Sequence, residues 1–344
     1  MKTLFYALIM AILVITGCSS KEEAAKSDSS TEPIQSTGDS TVDSTIAATT
    51  ASDQPSFTQG LAKTINPGLL QCKGGRVSAL GEIKSDDGKT WIVPSDVNTK
   101  LVDASDLSNG CNNVNSRSIE DVNLDKVPLT VIDADGVEIT AYIFADNYFE
   151  LFVNGKAVAK DPVPFTPFNA SVVRFKAKYP ITYAIKVVDW EENLGLGTED
   201  NKGNNYHPGD AGIVISFSDG TVTDASWKAQ NYYIAPLASK SDLVIETKAG
   251  KVVRSTPNAS NEPKCEAQCY AAHFAIPENW FAVKFDDSTW PSATTYEERN
   301  VGVDNKSEYT NFASEFRKGK FIWTNNLNLD NEILLRRTVE QASK

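Results

Sequence analysis

The densest set of reactive side chains in this chain runs from Asp189-Trp190-Glu191-Glu192 through Glu199 and Asp200 to Tyr206-His207-Pro208-Gly209-Asp210. It offers aromatic faces, several carboxylates and a histidine within about two dozen residues. An indole packs on the apolar face of a sugar ring while carboxylates accept hydrogen bonds from hydroxyls. On that chemistry Trp190, Glu191, Glu192, Tyr206, His207 and Asp210 are candidate ligand contacts, and Trp227 would complete an aromatic groove. The same oxygens suit a hard cation, so Asp189, Glu191 and Glu199 are the candidate ligands of a structural calcium. A third reading is a solvated acidic loop with Trp190 covering the edge of a core.

Catalytic patterns are sparse. Paired carboxylates about 5–10 Å apart would serve glycoside hydrolysis, and the stretch Asp189 to Glu199 could supply them, but no residue is marked as the acid. Only His207 and His273 could serve a nucleophile triad. There is no GxSxG, HExxH, phosphate loop or dinucleotide fingerprint. Asp133-Ala134-Asp135-Gly136 has the start of a calcium loop but not its downstream glutamate, and reads as a hairpin turn.

The elements that must position these residues are short strands. Leu129–Ile132, Val137–Phe144, Tyr148–Val153, Val172–Phe175, Thr182–Val188, Gly212–Phe217, Leu243–Glu246, Val252-Val253, Phe281–Phe285 and Ile333–Val339 have strand composition. Turn residues separate them, most clearly Asn154-Gly155, since both central positions of a type I′ turn need positive φ. Further turns are expected at Asp86-Asp87-Gly88 and Ser218-Asp219-Gly220. Helical periodicity and internal repeats are absent. The pattern predicts an all-β sandwich over 128–344, with a small β-rich N-terminal module over 56–127. The acidic stretch follows a strand, which puts it at one end of the sandwich, where binding loops gather.

Three segments carry a resemblance. Ala145-Asp146-Asn147-Tyr148-Phe149-Glu150-Leu151-Phe152-Val153-Asn154-Gly155-Lys156 is similar to a hairpin of galactose-binding-like jelly rolls, the accessory domains of rhamnosidases and β-galactosidases. Trp280 with Phe285-Asp286-Asp287-Ser288-Thr289-Trp290-Pro291-Ser292-Ala293 is similar to a loop of the same modules. Phe321-Ile322-Trp323 followed by Ile333–Val339 is similar to their edge, which in many rhamnosidases precedes the hairpin and here comes last. The resemblance implies a jelly-roll sandwich and, loosely, a carbohydrate ligand without catalysis. Read locally, Asp146 and Asn147 fix a turn, Asp286-Asp287-Ser288 is an Asx-type loop over Trp280 and Trp290, and Trp323 is core.

At the N-terminus Lys2 precedes an apolar run from Leu4 to Ile15, and Thr16-Gly17-Cys18 closes it. The run is short for a membrane span and has the form of a secretory signal. It resembles the lipobox of bacterial lipoproteins, in which residues 1–17 are removed and Cys18 carries the lipid. Residues 18–55 are rich in Ser, Thr, Ala and Asp and cannot bury enough apolar surface to order themselves, so they are expected to be a disordered tether. The lipid anchor implies the outer membrane or cell surface; a glycan or an envelope protein is the expected partner, with a polysaccharide-degrading enzyme or a purely structural envelope protein as the alternatives. A net charge of -12 with scattered Lys and Arg excludes nucleic acid. The remaining cysteines, Cys72, Cys111, Cys265 and Cys269, are even in number in an exported chain and read as two disulfides. Proximity favours Cys72–Cys111 with Cys265–Cys269. A zinc site is the alternative, against which stands the lack of paired CxxC knuckles.

Overall fold

The strand Val137–Asp146 shows how the chain builds its core. Ile139, Ala141, Ile143 and Ala145 lie in the main apolar cluster, while Phe144 and Tyr142 lie in a second cluster on the opposite face. That is the period of two of a pleated strand, but with both faces covered. A computed structural model describes residues 54–70, 72–200 and 207–341. The expected signal, Cys18 and nearly all of the expected tether lie outside the described residues, as does Tyr206.

Two antiparallel sheets face each other. The first has seven strands in the order Ser56–Gln59, Tyr270–His273, Lys228–Leu237, Asp330–Val339, Ile181–Val188, Tyr148–Val153, Lys156–Lys160. The second has eight. Thr294–Tyr296, Phe321–Trp323, Gly212–Phe217, Val137–Asp146, Asn169–Ala177, Ser105–Asn109 and Val114–Asn115 follow in order, and Leu129–Val131 pairs in parallel with Asn169–Ala177. Between them Phe149, Leu151, Ile185, Ile213, Trp227, Trp323 and Leu335 form the main core. The chain is thus the expected all-β sandwich.

The outer faces are covered as well. Two single-turn helices, Ser307–Thr310 and Ala313–Phe316, bring Tyr309 and Phe316 against Phe144, with ring centroids 5.6 and 6.0 Å away. On the seven-stranded side, Trp280 and Trp290 pack with Phe152, Tyr232 and Ile234. Ser288 N–H donates to Asp286 Oδ1 at 2.9 Å, the Asx-type bond expected of that loop. Phe281–Phe285, read as a strand, is instead a series of turns. Its aromatic residues are spent on the sheet face, where Phe281 stacks on Phe152 at 4.7 Å.

Local turn chemistry is as the residues dictate. Asn154 and Gly155 both have positive φ, 48° and 75°, and join Tyr148–Val153 to Lys156–Lys160. Cys72 bonds Cys111 and Cys265 bonds Cys269, so the four cysteines are the expected disulfides rather than a zinc site.

The separate module over 56–127 is not formed. Ser56–Gln59 is the edge of the seven-stranded sheet, and Ser105–Asn109 extends the other. Only Lys63–Pro67, Ala79–Lys84 and Thr90–Val93 make a sheet of their own. It packs on the sandwich through Leu80 against Tyr148 and Trp190, and through Ile83 and Val93 against Leu194 and Tyr233. Three short strands have too little apolar surface to stand alone, and the sandwich supplies the missing face.

Candidate functional site

Both sheets deliver a carboxylate to the same end of the sandwich. Asp146 ends Val137–Asp146 in one sheet, and Asp189 directly follows Ile181–Val188 in the other. The chain is stitched there by Asn147 N–H to the Val188 carbonyl at 3.2 Å and Asp189 N–H to the Asn331 carbonyl at 2.8 Å. Trp190 N–H donates to Asn147 Oδ1 at 2.5 Å. Asp146 and Asp189 are each 3% exposed.

Glu199 and Asp210 join them. The Glu199 backbone pairs with His207, which returns the chain so that Gly209 lies over Asp189. A Cβ at Gly209 would sit 3.1 and 3.2 Å from the two Asp189 oxygens and 3.3 Å from Glu199 Oε1. Three carboxylate oxygens therefore converge on one point, and a Cβ there would have to push them aside by a few tenths of an ångström. Asp189 Oδ1 is buried and accepts no hydrogen bond from the described residues. Arg76 Nη1 reaches Glu199 at 2.9 Å and Glu192 at 3.4 Å, while its guanidinium lies 4.4 Å from the centre of the Phe165 ring.

This geometry holds protons. Burial drives the Asp189 carboxyl well above the usual carboxylate range, and the charges of Glu199, Asp146 and Asp210 add to it. Burial, then Asp210 and Glu199, does the same to Asp146, opposed by Arg76 and Lys306. Asp210 is raised by burial and by Glu199. A cluster of carboxylates with one close arginine cannot ionise fully in a dry site. The group can accept hydrogen bonds from hydroxyls, donate one from whichever acid is protonated, or attract a positive charge.

Several expected contacts fall elsewhere. Trp227 is fully buried in the inter-sheet core and donates Nε1–H to the Val222 carbonyl at 2.9 Å. Trp190 is 1% exposed and packs with Leu80, Phe165 and Val188. Neither offers a face to a ligand, and they do not share a groove. Glu191 is consumed locally: it accepts backbone N–H groups from Gly195, Leu196 and Gly197 and the hydroxyl of Tyr233. It closes the Leu194–Gly197 turn, and burial still pushes its carboxyl up to about 7. A calcium set of Asp189, Glu191 and Glu199 is therefore not assembled. Among the described residues no group of three or more His, Cys, Asp or Glu side chains is arranged to hold a metal ion. His207 bonds the Pro208 carbonyl through Nδ1 at 2.9 Å. Glu192, Glu199, Asp189 and Asp210 remain at the site, joined by Asp146 and Arg76.

Compared with protein-family models, with curated proteins and with solved structures, the chain matches none of them. The site therefore has to be read from its own chemistry. Arg76 leaves no local signal in the sequence, because 116 residues separate it from Glu192. Asp146 carries a weak one: an acid closing a long apolar strand, where a turn alone would not require it.

Proposed function

We propose that this chain is a lipid-anchored extracytoplasmic protein that binds a hydroxyl-rich ligand, a glycan, without catalysis. Its binding point is the carboxylate cluster around Asp189. The observation that carries the reading is Asp189 itself, buried, converging with Glu199 on Gly209, and with Oδ1 lacking a hydrogen-bond partner among the described residues. A buried acceptor without a donor is costly, and a ligand hydroxyl supplies the donor. The resemblance of the Ala145–Lys156 hairpin to galactose-binding-like modules supports the ligand class, and the lipobox ending at Cys18 supports the location. With Trp190 and Trp227 buried, recognition runs through hydrogen bonds rather than stacking on those rings.

Calorimetric titration of the mature protein against a panel of plant, algal and envelope polysaccharides tests the reading. Binding by the wild type and its loss in Asp189→Asn is expected; binding that survives the substitution refutes the site. Cys18→Ser should move the protein from the membrane to the soluble fraction. A second reading, polysaccharide hydrolysis, draws on the same acids, since a buried carboxyl of raised proton affinity is the kind of group that serves as the acid in glycoside cleavage. Release of reducing ends, abolished by Asp189→Asn, would favour it over simple binding.

A further inference from the structure

Three cations gather around one loop at the seven-stranded sheet, in a chain whose net charge is -12. Lys228 opens the strand Lys228–Leu237, stands opposite Arg336 in the neighbouring strand, and bridges to Ser292 on its other side. Lys251 opens Lys251–Ser255, half of a hairpin whose first strand places Lys248 directly opposite it. The loop 287–292 ties the two strands together. Lys251 Nζ donates to the Ser288 carbonyl, Val252 N–H donates to the Thr289 carbonyl at 2.8 Å, and Ala229 N–H donates to the Pro291 carbonyl at 3.0 Å. Lys228 and Lys251 therefore converge over one short stretch of chain.

Of the three, Arg336 alone is matched by a carboxylate. It is buried, and its Nε donates to Asp287 Oδ2 at 2.9 Å, its Nη2 to the Ala282 carbonyl at 3.1 Å and its Nη1 to the Trp280 carbonyl. Asp286 feels the Lys251 charge but is turned to its own loop, where it accepts the Ser288 N–H at 2.9 Å. The half-buried Lys228 ammonium is left with no acceptor among the described residues, and Lys251 with a single carbonyl. Burial, and then the neighbouring charge of Lys251, push the Lys228 ammonium below its ordinary value, opposed by Asp287. Two like charges side by side repel, and more so where water is partly excluded. A lysine pair held this way, with no carboxylate between its members, is the electrostatic complement of an anion.

The donors on offer choose the anion. The planar fork that would grip a carboxylate bidentately belongs to Arg336 and is engaged at all three nitrogens. What remains is two separate point charges, each able to take a different oxygen, which suits a group with oxygens on several sides. We propose that Lys228 and Lys251 bind a tetrahedral oxyanion, the sulfate or phosphate group of an anionic ligand. Lys248 adds to the attraction from across the hairpin. The site is separate from the carboxylate cluster and stands whether or not Asp189 binds a glycan.

Titration of the protein with glucose sulfate, glucose phosphate, glucuronate and glucose at constant ionic strength, followed by calorimetry or ligand-observed NMR, tests this. Saturable binding of an ester is expected, with glucuronate weaker and glucose unbound. Inorganic sulfate and phosphate should compete with it. An ester tighter than the free ion shows that the group is read on a carrier, and equal affinity shows that the ion alone is read; both support the site. Lys228→Met and Lys251→Met keep the aliphatic stems and should each weaken binding about tenfold or more, the scale of one charge-assisted hydrogen bond. Lys228→Met also removes a repulsion, so it should melt at or above the wild-type temperature, which separates lost binding from lost fold. Asp189→Asn should leave this binding intact, so failure of the carboxylate cluster and failure of the lysine pair are read apart. The proposal is overturned by no saturable binding of either ester, by equal or tighter binding of glucuronate or glucose, by affinity that survives both lysine substitutions, by a lower melting temperature in Lys228→Met, or by loss of binding in Asp189→Asn.

Discussion

Replacing Asp189 by Asn should make the protein more stable and less able to bind, and the gain should depend on pH. Asp189 is almost fully buried, has one oxygen without a donor, and faces the charges of Glu199, Asp146 and Asp210. Its folded-state proton affinity is raised, so the folded state holds a proton that the unfolded chain releases. Stability from this group is therefore greatest in acid and is lost as pH rises through the folded value. An amide has no such charge to lose. At pH 8 the variant should gain about 1–3 kcal/mol, because the amide still lacks a donor but no longer carries the acid's repulsion from Glu199, Asp146 and Asp210. That corresponds to a rise in melting temperature of roughly 2–5 °C for a domain of this size. Near pH 3.5, where the unfolded chain also holds the proton, the difference should shrink towards zero. Calorimetric melting of both proteins at the two pH values measures it. A variant less stable than wild type at pH 8, or a gain equal at both pH values, would refute the idea that Asp189 is held against electrostatic strain for a ligand.

Glu191→Gln should destabilise by about 1–3 kcal/mol, read from urea melts, because one amide oxygen cannot serve three backbone donors and Tyr233; an unchanged midpoint would mean that Glu191 does not hold the turn. Trp227→Ala should cost about 3–5 kcal/mol by opening the inter-sheet core, with glycan affinity unchanged in whatever fraction remains folded. Replacing Cys72 and Cys111 together by Ser frees a loop of sequence separation 39, worth up to about 4 kcal/mol of chain entropy; a midpoint within error of wild type would show that the bridge is dispensable. Between pH 6 and 8 the wild type should lose stability, since burial pushes Asp161 to about 8 and Asp330 to about 7. A flat profile of midpoint against pH would contradict those burials.

What the residues alone determined is local. Asn154-Gly155 could only be a tight hairpin, because two consecutive positive φ values exclude most other pairs, and the strands around it follow from their β-branched and aromatic runs. Proximity in the chain was enough to pair Cys72 with Cys111 and Cys265 with Cys269. Trp323 as core and Trp280 with Trp290 under the Asp286 loop were legible for the same reason: large apolar rings have few other places to go.

The tertiary structure decided which faces are covered, and with that which polar residues matter. Glu150 and Lys186 alternate with apolar neighbours like a solvated strand face, yet they pair at 3.3 Å and are buried under the segment that ends at Asn98. Trp190 and Trp227 have the composition of a sugar platform and lie inside, because long-range packing fills both sides of the sheets. Asp146, Asp189 and Arg76 meet only because two sheets and an N-terminal hairpin end at one place. Contacts of that kind depend on the closure of distant chain ends, and no spacing within a sequence window encodes them.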